Sequence, residues 1–161
     1  MVTLSHDEET LKMADQLQDR LDIEKALRHY AIGLDERRWE EWDLAFAADA
    51  TIDFTPMGGK RETPAQMRER LGKPDPAWLF AQHPLYNTII ELAGDTAKAF
   101  SHYQMETGRR GESEGEIVRV SGGGAYEDTL ARTDAGWRIT ERRVFMKWKE
   151  TRRVRDEVTR G

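Results

Sequence analysis

Residues 22–46 read DIEKALRHYAIGLDERRWEEWDLAF, and this stretch decides the fold that the sequence predicts. Six residues recur at the i, i+3, i+4 spacing of one helical face, and they are Ile23, Ala26, Leu27, Tyr30, Ala31 and Leu34. Only Tyr30 has a polar tip, and Asp35 follows where the stripe ends. A second short stripe of large aromatic residues begins at Trp39. We therefore expect these two stripes to form the wall of a cavity.

The composition indicates one folded domain with a heavily charged surface. The chain has 161 residues, which fits a single domain. Its residues are 38% hydrophobic and 34% charged, but the apolar residues fall in periodic runs, which favours folding over disorder. The net charge is −5 and the basic residues are spread over the whole length, so we expect no nucleic-acid partner. We also expect no membrane partner, because no apolar run approaches the roughly 20 residues of a membrane span.

The start of the chain and its cysteine content favour the cytoplasm. The first ten residues, MVTLSHDEET, lack the basic flank and the apolar run of a signal peptide. The sequence contains no cysteine, which excludes disulfides and thiol chemistry.

Beyond the opening stretch, the sequence predicts one more short helix and then mainly strands. Residues 49–55 alternate as in a strand, and Thr63 opens a capping box with Pro64 at the first helical position. After residue 82, long strands joined by turns follow, and Gly122–Gly124 should bend the sheet. We expect an α+β fold in which about three helices cover a strongly curved, mainly antiparallel sheet.

The ends of the chain differ in composition from its middle. We interpret residues 1–17 as a polar N-terminal arm with at most a weak helix, packed on the domain or on a partner subunit. Residues 18–148 form the single domain. Residues 149–161 are mostly charged, and we expect a frayed or disordered C-terminal tail.

His83 is the most informative histidine, because it stands directly before Pro84 at the start of a long strand. Neutral imidazole is the best general base near pH 7, and a carboxylate behind it fixes its tautomer. Asp35 could supply that carboxylate, or it could simply cap the second helix. Tyr30 could donate a hydrogen bond in the cavity, or it could be an ordinary core tyrosine.

Two further polar positions are candidates for lining the cavity. His102 lies in the middle of a strand, and it either lines the cavity or sits on the outer sheet face. Arg142 and Arg143 alternate on the last strand, so one must face inward, where it needs an anionic partner. We favour Arg143, because it shares a strand face with three apolar residues. The aromatic candidates for binding a substrate are Trp39, Phe54, Trp78 and Tyr126.

Metal and nucleotide motifs are missing from the sequence. No pair of histidines has the spacing of metal ligands. Gly122–Gly124 is not followed by the Lys-Ser/Thr pair of a phosphate-binding loop. We therefore expect neither a metal nor another cofactor.

Taken together, the motifs resemble the SnoaL-like branch of the nuclear transport factor 2-like superfamily. The matching pieces are Tyr30-x4-Asp35-x3-Trp39, Phe46-x2-Asp49-Ala50, His83, Gly123-Gly124-x-Tyr126-x-Asp128 and Gly136-Trp137-Arg138-Ile139. The resemblance covers roughly residues 18–148 and is closest to scytalone dehydratase and bile acid 7α-dehydratase. It implies a cone-shaped α+β barrel around a deep apolar pocket. Tyr30, Asp35 and His83 match the three catalytic residues of those enzymes, whereas the polar residues of the family's central strand have no clear match. His102 or Glu106 could take their place.

The resemblance also implies a function. We expect a cofactor-independent dehydratase (a lyase) or isomerase that acts on a hydrophobic, ring-containing molecule such as a steroid, a polyketide or an aromatic compound. The family commonly forms dimers or trimers, so we expect a homodimer or homotrimer joined through the outer sheet face. The alternatives are a non-catalytic small-molecule-binding protein and an accessory subunit of a larger enzyme, because the same fold serves all three roles.

Overall fold

Helix α1 begins with a capping box and continues without a break through the predicted apolar stripe. The computed structural model describes residues 5–155, and α1 spans His6–Asp35. Ser5 Oγ accepts a hydrogen bond from the Glu8 backbone N–H (3.3 Å), and Glu8 Oε2 accepts one from the Ser5 N–H (2.8 Å). Both bonds satisfy N–H groups that a helix start leaves free. The buried residues of α1 are Ile23, Ala26, Leu27, Tyr30, Gly33 and Leu34.

The expectation of at most a weak helix in residues 1–17 is wrong for residues 6–17, which belong to α1. Residues 1–4 lie outside the described part of the chain. Periodicity missed this half of the helix because residues 5–18 are all exposed, so no apolar stripe marks a buried face. The capping box was the signal that could have found it. The division into an arm and a domain at residue 17 stays a prediction.

Two further helices and seven strands make up the rest of the described chain. The helices are α2 (Trp39–Ala45) and α3 (Pro64–Leu71), and a short 3₁₀ turn spans Thr55–Met57. The strands are β1 (Phe46–Asp53), β2 (Arg61–Glu62), β3 (Trp78–Gln82), β4 (Leu85–Ala93), β5 (Thr96–Arg110), β6 (Glu116–Thr133) and β7 (Gly136–Arg155). None of the described helices is both long and apolar enough to cross a membrane.

The seven described strands form one open sheet in the order β2-β1-β7-β6-β5-β3, and β4 also pairs with β5. The β1–β7 pair is parallel and the other described pairs are antiparallel. A single apolar core joins α1 and α2 to one face of this sheet, which we call the inner face. The predicted α+β fold, with three helices on a curved, mainly antiparallel sheet, is confirmed, although the described sheet does not close into a complete barrel.

Two bulges interrupt the pairing of β6 with β7. The first lies between Gly123 and Gly124, where the glycine run predicted a bend, and it leaves Lys147 without a partner in the register. A Cβ atom at Gly124 would lie 1.8 Å from the Phe145 carbonyl oxygen, so this close approach requires glycine. The second bulge leaves out Thr140. Since side chains alternate with a period of two, the extra residue exchanges the faces of the residues that follow it.

The C-terminal tail is a strand as far as the structure describes it. Residues 149–155, which we expected to be frayed, pair with β6, and residues 156–161 lie outside the described part. Backbone hydrogen bonds between two long strands hold this segment despite its charge, and Arg153 Nη1 also contacts Glu116 Oε2 at 3.1 Å. Charge alone was therefore a poor sign of disorder at this end.

Candidate active site

The candidate site lies where the edge of the sheet is interrupted. Strands β3 and β4 both pair with β5, the first ending at Gln82 and the second starting at Leu85. The two residues between them are His83 and Pro84. Proline has no N–H for the ladder, and its carbonyl accepts from the Gln104 N–H at 3.2 Å. The interruption leaves the backbone N–H of His83 free to bond outside the sheet.

Asp35 holds His83 by two hydrogen bonds. Asp35 Oδ2 accepts from the backbone N–H of His83 at 2.6 Å, and Oδ1 lies 2.5 Å from His83 Nδ1. The side chains are only 12% (His83) and 13% (Asp35) exposed. A carboxylate accepts hydrogen bonds, so we assign a proton to Nδ1 of His83. In the tautomer that carries its only ring proton on Nδ1, Nε2 has a free lone pair.

Asp35 is also the last residue of α1, where the helix dipole disfavours a negative charge by about 0.3–1 kcal/mol. The possibility that it caps the second helix is wrong, because the N-cap of α2 is Arg38, which makes no side-chain capping bond. The bonds to His83 are therefore the interactions that account for an acid at this position.

Tyr30 lies in a buried aromatic cluster. Its ring centroid lies 5.1 Å from that of Trp42, 5.9 Å from that of Phe46 and 5.6 Å from that of Tyr126. Burial raises the pKa of Tyr30, and the positive charge of Arg142 opposes this only in part. The hydroxyl therefore stays protonated at neutral pH and can act as a hydrogen-bond donor.

Arg142 is buried in the same cluster, between two tyrosine rings. Its guanidinium carbon lies 4.0 Å from the ring centroid of Tyr30 and 4.2 Å from that of Tyr126. Nε and Nη2 donate to the two carboxylate oxygens of Asp128 at 2.7 and 2.8 Å. Burial disfavours the charged form, but Asp128 outweighs it, and the pKa of Arg142 lies above its ordinary value. Nη1 finds no hydrogen-bond partner among the described residues, so one buried donor is available to another molecule.

The expectation that Arg143 faces inward is wrong. The bulge at Thr140 exchanges the faces of β7, so Arg142 points into the core and Arg143 lies on the outer face. Arg143 Nη1 contacts Glu127 Oε2 at 3.3 Å there, and the side chain is partly exposed. The predicted alternation of these two arginines was right, but a bulge cannot be located from alternation alone.

His102 and Glu106 also lie on the outer face, so neither takes the place of the family's central-strand residues. The two ring nitrogens of His102 contact Asn87 Nδ2 at 3.3 Å and Lys147 Nζ at 3.1 Å. Glu106 Oε1 accepts from Arg119 Nε at 2.7 Å. The inner side chains of β5 are those of alternate residues, namely Ala97, Ala99, Ser101 and Tyr103. The alternating alanines at 97 and 99 were the sequence signal for the inner face.

Tyr103 was not among the predicted site residues, yet it lies between the aromatic cluster and His83. Its ring stacks on that of Tyr126, with centroids 4.2 Å apart and planes inclined by 9°. In the sheet it pairs with Leu85, two residues after His83. Burial raises the pKa of Tyr103 to about 12, so its hydroxyl is also protonated at neutral pH.

The other aromatic candidates occupy separate positions. Trp39 packs edge-on against Trp42 with ring centroids 6.1 Å apart, and Phe54 follows β1. Trp78 lies on β3, and the Arg37 guanidinium stands 4.5 Å from its ring centroid. This contact joins the turn after Asp35 to the strand before His83. The described contacts therefore form two groups, the Asp35–His83 pair and the cluster around Tyr30, Tyr126 and Arg142.

A protein-family model for the SnoaL-like domain matches residues 15–143. The chain belongs to the SnoaL-like family. It is similar to the uncharacterized protein Rv2910c of Mycobacterium tuberculosis, with 29% identity over 131 residues that cover 79% of this chain and 84% of the relative.

Two solved structures share the fold of this SnoaL-like chain. A candidate scytalone dehydratase from Novosphingobium aromaticivorans has a TM-score of 0.65 and 19% identity, with 92% of this chain and 99% of that chain covered. Hexachlorocyclohexane dehydrochlorinase LinA-type3 from Novosphingobium barchaimii has a TM-score of 0.66 and 16% identity, with 86% and 92% covered.

Proposed function

We propose that this SnoaL-like protein is a cofactor-independent enzyme that uses His83 as a general base. The proposed reaction is elimination of water or a double-bond shift in a hydrophobic, ring-containing small molecule. The observation that carries the proposal is that Asp35 makes two hydrogen bonds to His83. One is from the backbone N–H at 2.6 Å and the other is to Nδ1 at 2.5 Å. A histidine held in this way is oriented before any substrate arrives.

In this proposal, Nε2 of His83 removes a proton next to a carbonyl or another activating group of the substrate. The imidazole becomes an imidazolium, and the adjacent carboxylate of Asp35 stabilises the new positive charge. The electron pair left by the proton forms the new double bond, and a hydroxyl departs in the dehydratase version. The protonated His83 can then return the proton to the departing hydroxyl, which leaves as water. A positioned general base typically contributes a factor of about 10² to 10⁴ in rate.

Tyr30 would donate a hydrogen bond to the developing oxyanion or to the departing hydroxyl. Its raised pKa keeps the phenol protonated, and it lies five residues before Asp35 on the same helix. The unpartnered Nη1 of Arg142, which stands against the Tyr30 ring, would provide a second donor for a substrate oxygen. The deep apolar pocket that would hold the substrate, and the contribution of Trp39, Phe54, Trp78 and Tyr126 to it, stay predictions.

Relatives of the same fold support a lyase. One is described as a candidate scytalone dehydratase and another as a hexachlorocyclohexane dehydrochlorinase. Those names denote the loss of water and of hydrogen chloride, and both eliminations require removal of a proton from a carbon atom. An activated base without a cofactor fits this type of chemistry.

A non-catalytic binding protein is the second candidate, because Tyr30 is only 2% exposed and its ring is enclosed by three other aromatic rings. This packing would suit a tyrosine that only stabilises the core. An accessory subunit of a larger enzyme would show itself by a partner protein that purifies with the chain.

A ligand screen followed by a turnover assay separates the two candidates. Steroids, polyphenols and polyketides would be tested by thermal shift on the wild-type protein and on the His83→Gln variant. Each hit would then be incubated in D₂O, and proton exchange and product formation would be followed by NMR. An enzyme predicts binding by both proteins and exchange or product only with the wild type. Tight binding with neither exchange nor product in the wild type would overturn the enzyme proposal in favour of a binding protein.

A further inference from the structure

The candidate site is closed to molecules from solvent. Tyr30 and Tyr103 are only 2% and 4% exposed. The side chains of Asp35 and His83 are only 13% and 12% exposed. A ring-containing molecule therefore reaches the Tyr30 ring only when an element that covers it moves.

Helix α3 is the cover with the weakest attachment to the core. Met67 is its one buried residue, whereas α1 buries six residues and α2 buries two. It follows β2, a strand of two residues at the edge of the sheet. A segment that buries few apolar side chains opens with a smaller free energy than the core does. Among the three described helices, α3 should therefore separate most easily.

A groove already lies between α3, α2 and β1. Its volume is about 500 Å³, which lies within the range of small-molecule sites. Trp42 and Phe46 line the groove, and the same two residues contact the Tyr30 ring, with centroid distances of 5.1 and 5.9 Å. Since both are buried aromatic residues, a wall of two rings separates the groove from Tyr30.

Two contacts hold α3 against α2 across this groove. Trp42 Nε1 donates to the Pro64 carbonyl oxygen at 3.2 Å. Arg68 Nη1 pairs with Asp43 Oδ2, but these side chains are 42% and 56% exposed, so the ion pair holds α3 only weakly. The hydrogen bond makes the position of the Trp42 ring depend on that of α3.

Helix α2 is fixed on its other side by α1. A Cβ atom on Gly33 would lie 2.5 Å from the Trp42 backbone nitrogen, so the two helices touch at their backbones. His29 Nδ1 also contacts Glu41 Oε2 between the same two helices. When α3 separates, α2 therefore stays in place, and the freed part of Trp42 is its ring rather than its backbone.

We propose that α3 is a lid, and that its separation from α2 admits ring-containing molecules to Tyr30 by releasing the Trp42 ring. When the lid is open, the ring can turn away and the groove becomes continuous with the cluster around Tyr30. When it is closed, the wall of Trp42 and Phe46 keeps water away from Tyr30, which strengthens hydrogen bonds made there. An entrance for substrate rests on the proposed function, whereas the movement of α3 can be measured without any substrate.

A cross-link tests whether α3 moves. The chain has no cysteine, so Asp43→Cys together with Arg68→Cys supplies the only two thiols, which dibromobimane can tether. Hydrogen exchange of the Trp42 indole N–H, followed by NMR, reports each separation of α3, because this N–H is bonded to Pro64. The tether should slow its exchange about tenfold or more. The matched control is the same variant alkylated with iodoacetamide, which also lacks the ion pair but leaves α3 free.

Two results of this experiment would overturn the lid. One is equal exchange of the Trp42 indole N–H in the tethered and the alkylated protein. The other is slowing by the same factor at the backbone N–H of Tyr126 in β6, because Trp42 would then be exposed only by global unfolding. Mass spectrometry of each sample confirms the tether, and circular dichroism confirms the fold.

Removal of the ion pair alone should have the opposite effect. Arg68→Gln should speed exchange of the Trp42 indole N–H about two- to fivefold, because α3 loses a surface contact with α2. Arg28→Gln is the matched control, since Arg28 pairs with Glu24 within α1. In the control this N–H should exchange at the wild-type rate, and equal acceleration in both variants would overturn the role of the ion pair.

A neutral two-ring probe tests the entrance. Association of 2-naphthol, followed by stopped-flow fluorescence, should be about tenfold or more slower with the tethered protein than with the alkylated control. Equal rates would overturn the entrance beneath α3 in favour of another path, such as the gap between β3 and β4. No binding by the control would overturn the entry of ring-containing molecules. Binding behind the lid without turnover of any screened compound would contradict the proposed function and would support the lid.

Discussion

Within residues 5–155, two histidine–carboxylate pairs have the same contact distance and different surroundings. His83 Nδ1 lies 2.5 Å from Asp35 Oδ1, and His29 Nδ1 lies 2.5 Å from Glu41 Oε2. Each pair includes one residue of α1. Asp35 also accepts the backbone N–H of His83, whereas Glu41 makes no second described hydrogen bond. The Glu41 side chain is 35% exposed, and its pair joins two neighbouring helices.

A short contact between a histidine and a carboxylate is therefore not enough to identify a catalytic general base. The His29–Glu41 pair links α1 to α2, and solvent competes mainly at Glu41, because the His29 side chain is only 15% exposed. The Asp35–His83 pair is more buried, and its carboxylate fixes both the ring and the backbone that carries it. Orientation by two bonds, rather than one short distance, distinguishes the pair that we propose to be catalytic.

The largest expected difference is in turnover after loss of each histidine. Once a substrate is found, His83→Gln should lower kcat by a factor of about 10² to 10⁴, because the base is lost. His29→Gln should change kcat by less than about threefold, since a surface link is all that it removes. Steady-state kinetics of both variants measure the effect. Equal losses in the two variants would show that the comparison between the pairs is wrong.

Replacement of the carboxylates should give the next largest difference. Asp35→Asn keeps the shape of the side chain but removes the charge that orients His83 and stabilises its protonated form. We expect kcat to fall by about a hundredfold or more. Glu41→Gln should leave kcat unchanged and should alter the free energy of unfolding by no more than about 1 kcal/mol. Kinetics and urea unfolding of the two variants, measured side by side, test this. If kcat fell by less than about tenfold in Asp35→Asn, Asp35 would not have the proposed role in the reaction.

Hydrogen exchange can test the second bond of Asp35 without any substrate. In Asp35→Ala the backbone N–H of His83 loses its charged acceptor, and its exchange should accelerate by about 10- to 100-fold, as expected for a bond of about 1.5–3 kcal/mol. In Glu41→Ala the same N–H should exchange at the wild-type rate. Exchange measured by NMR on both variants provides the comparison. Wild-type protection of His83 in Asp35→Ala would mean that another group holds this N–H.

Asp53 extends the comparison to a carboxylate with a structural role, and it should produce the smallest effect. The Thr55 hydroxyl and backbone N–H donate to Asp53, with Arg61 nearby, and these bonds hold the pKa of Asp53 below its usual range. The folded pKa is the lower one, so its contribution to stability is complete above about pH 4 and is lost as the pH falls through the folded value. Asp53→Asn should therefore be less stable than the wild type at neutral pH, and the difference should shrink in acid. Urea unfolding at several pH values measures this, and a difference that is constant with pH would contradict it.

The features that could be predicted from the sequence are those that depend on short patterns of neighbouring residues. Helical spacing marked the face that carries Tyr30, and His83 was predicted at the start of a long strand, which begins at Leu85 in the structure. The glycine run predicted a bend, and the structure has a bulge there. Each of these features depends on neighbouring residues along the chain, so one sequence is enough to show it.

The features that were missed depend on register or on exposure. Arg142 rather than Arg143 faces the core, because Thr140 is left out of the pairing with β6, and alternation cannot locate such a residue. His102 faces outward because it alternates with the buried residues Ser101 and Tyr103, and a mid-strand histidine does not by itself show which face is buried. The first turns of α1 carry no buried stripe, so a pattern based on burial has nothing to detect there.

Asp35 is the last residue of α1, so the orientation of His83 depends on the last turn of that helix staying folded. Helix ends fray, and their last turns open with a smaller free energy than the middle of a sheet. When the last turn of α1 unwinds, Asp35 leaves the backbone N–H and the ring of His83 in one step, and the gap between β3 and β4 loses the group that bridges it. We therefore expect the helix end, the histidine and the sheet gap to open together. Heating should mobilise this unit before the core melts, so loss of the oriented His83 would precede loss of the fold.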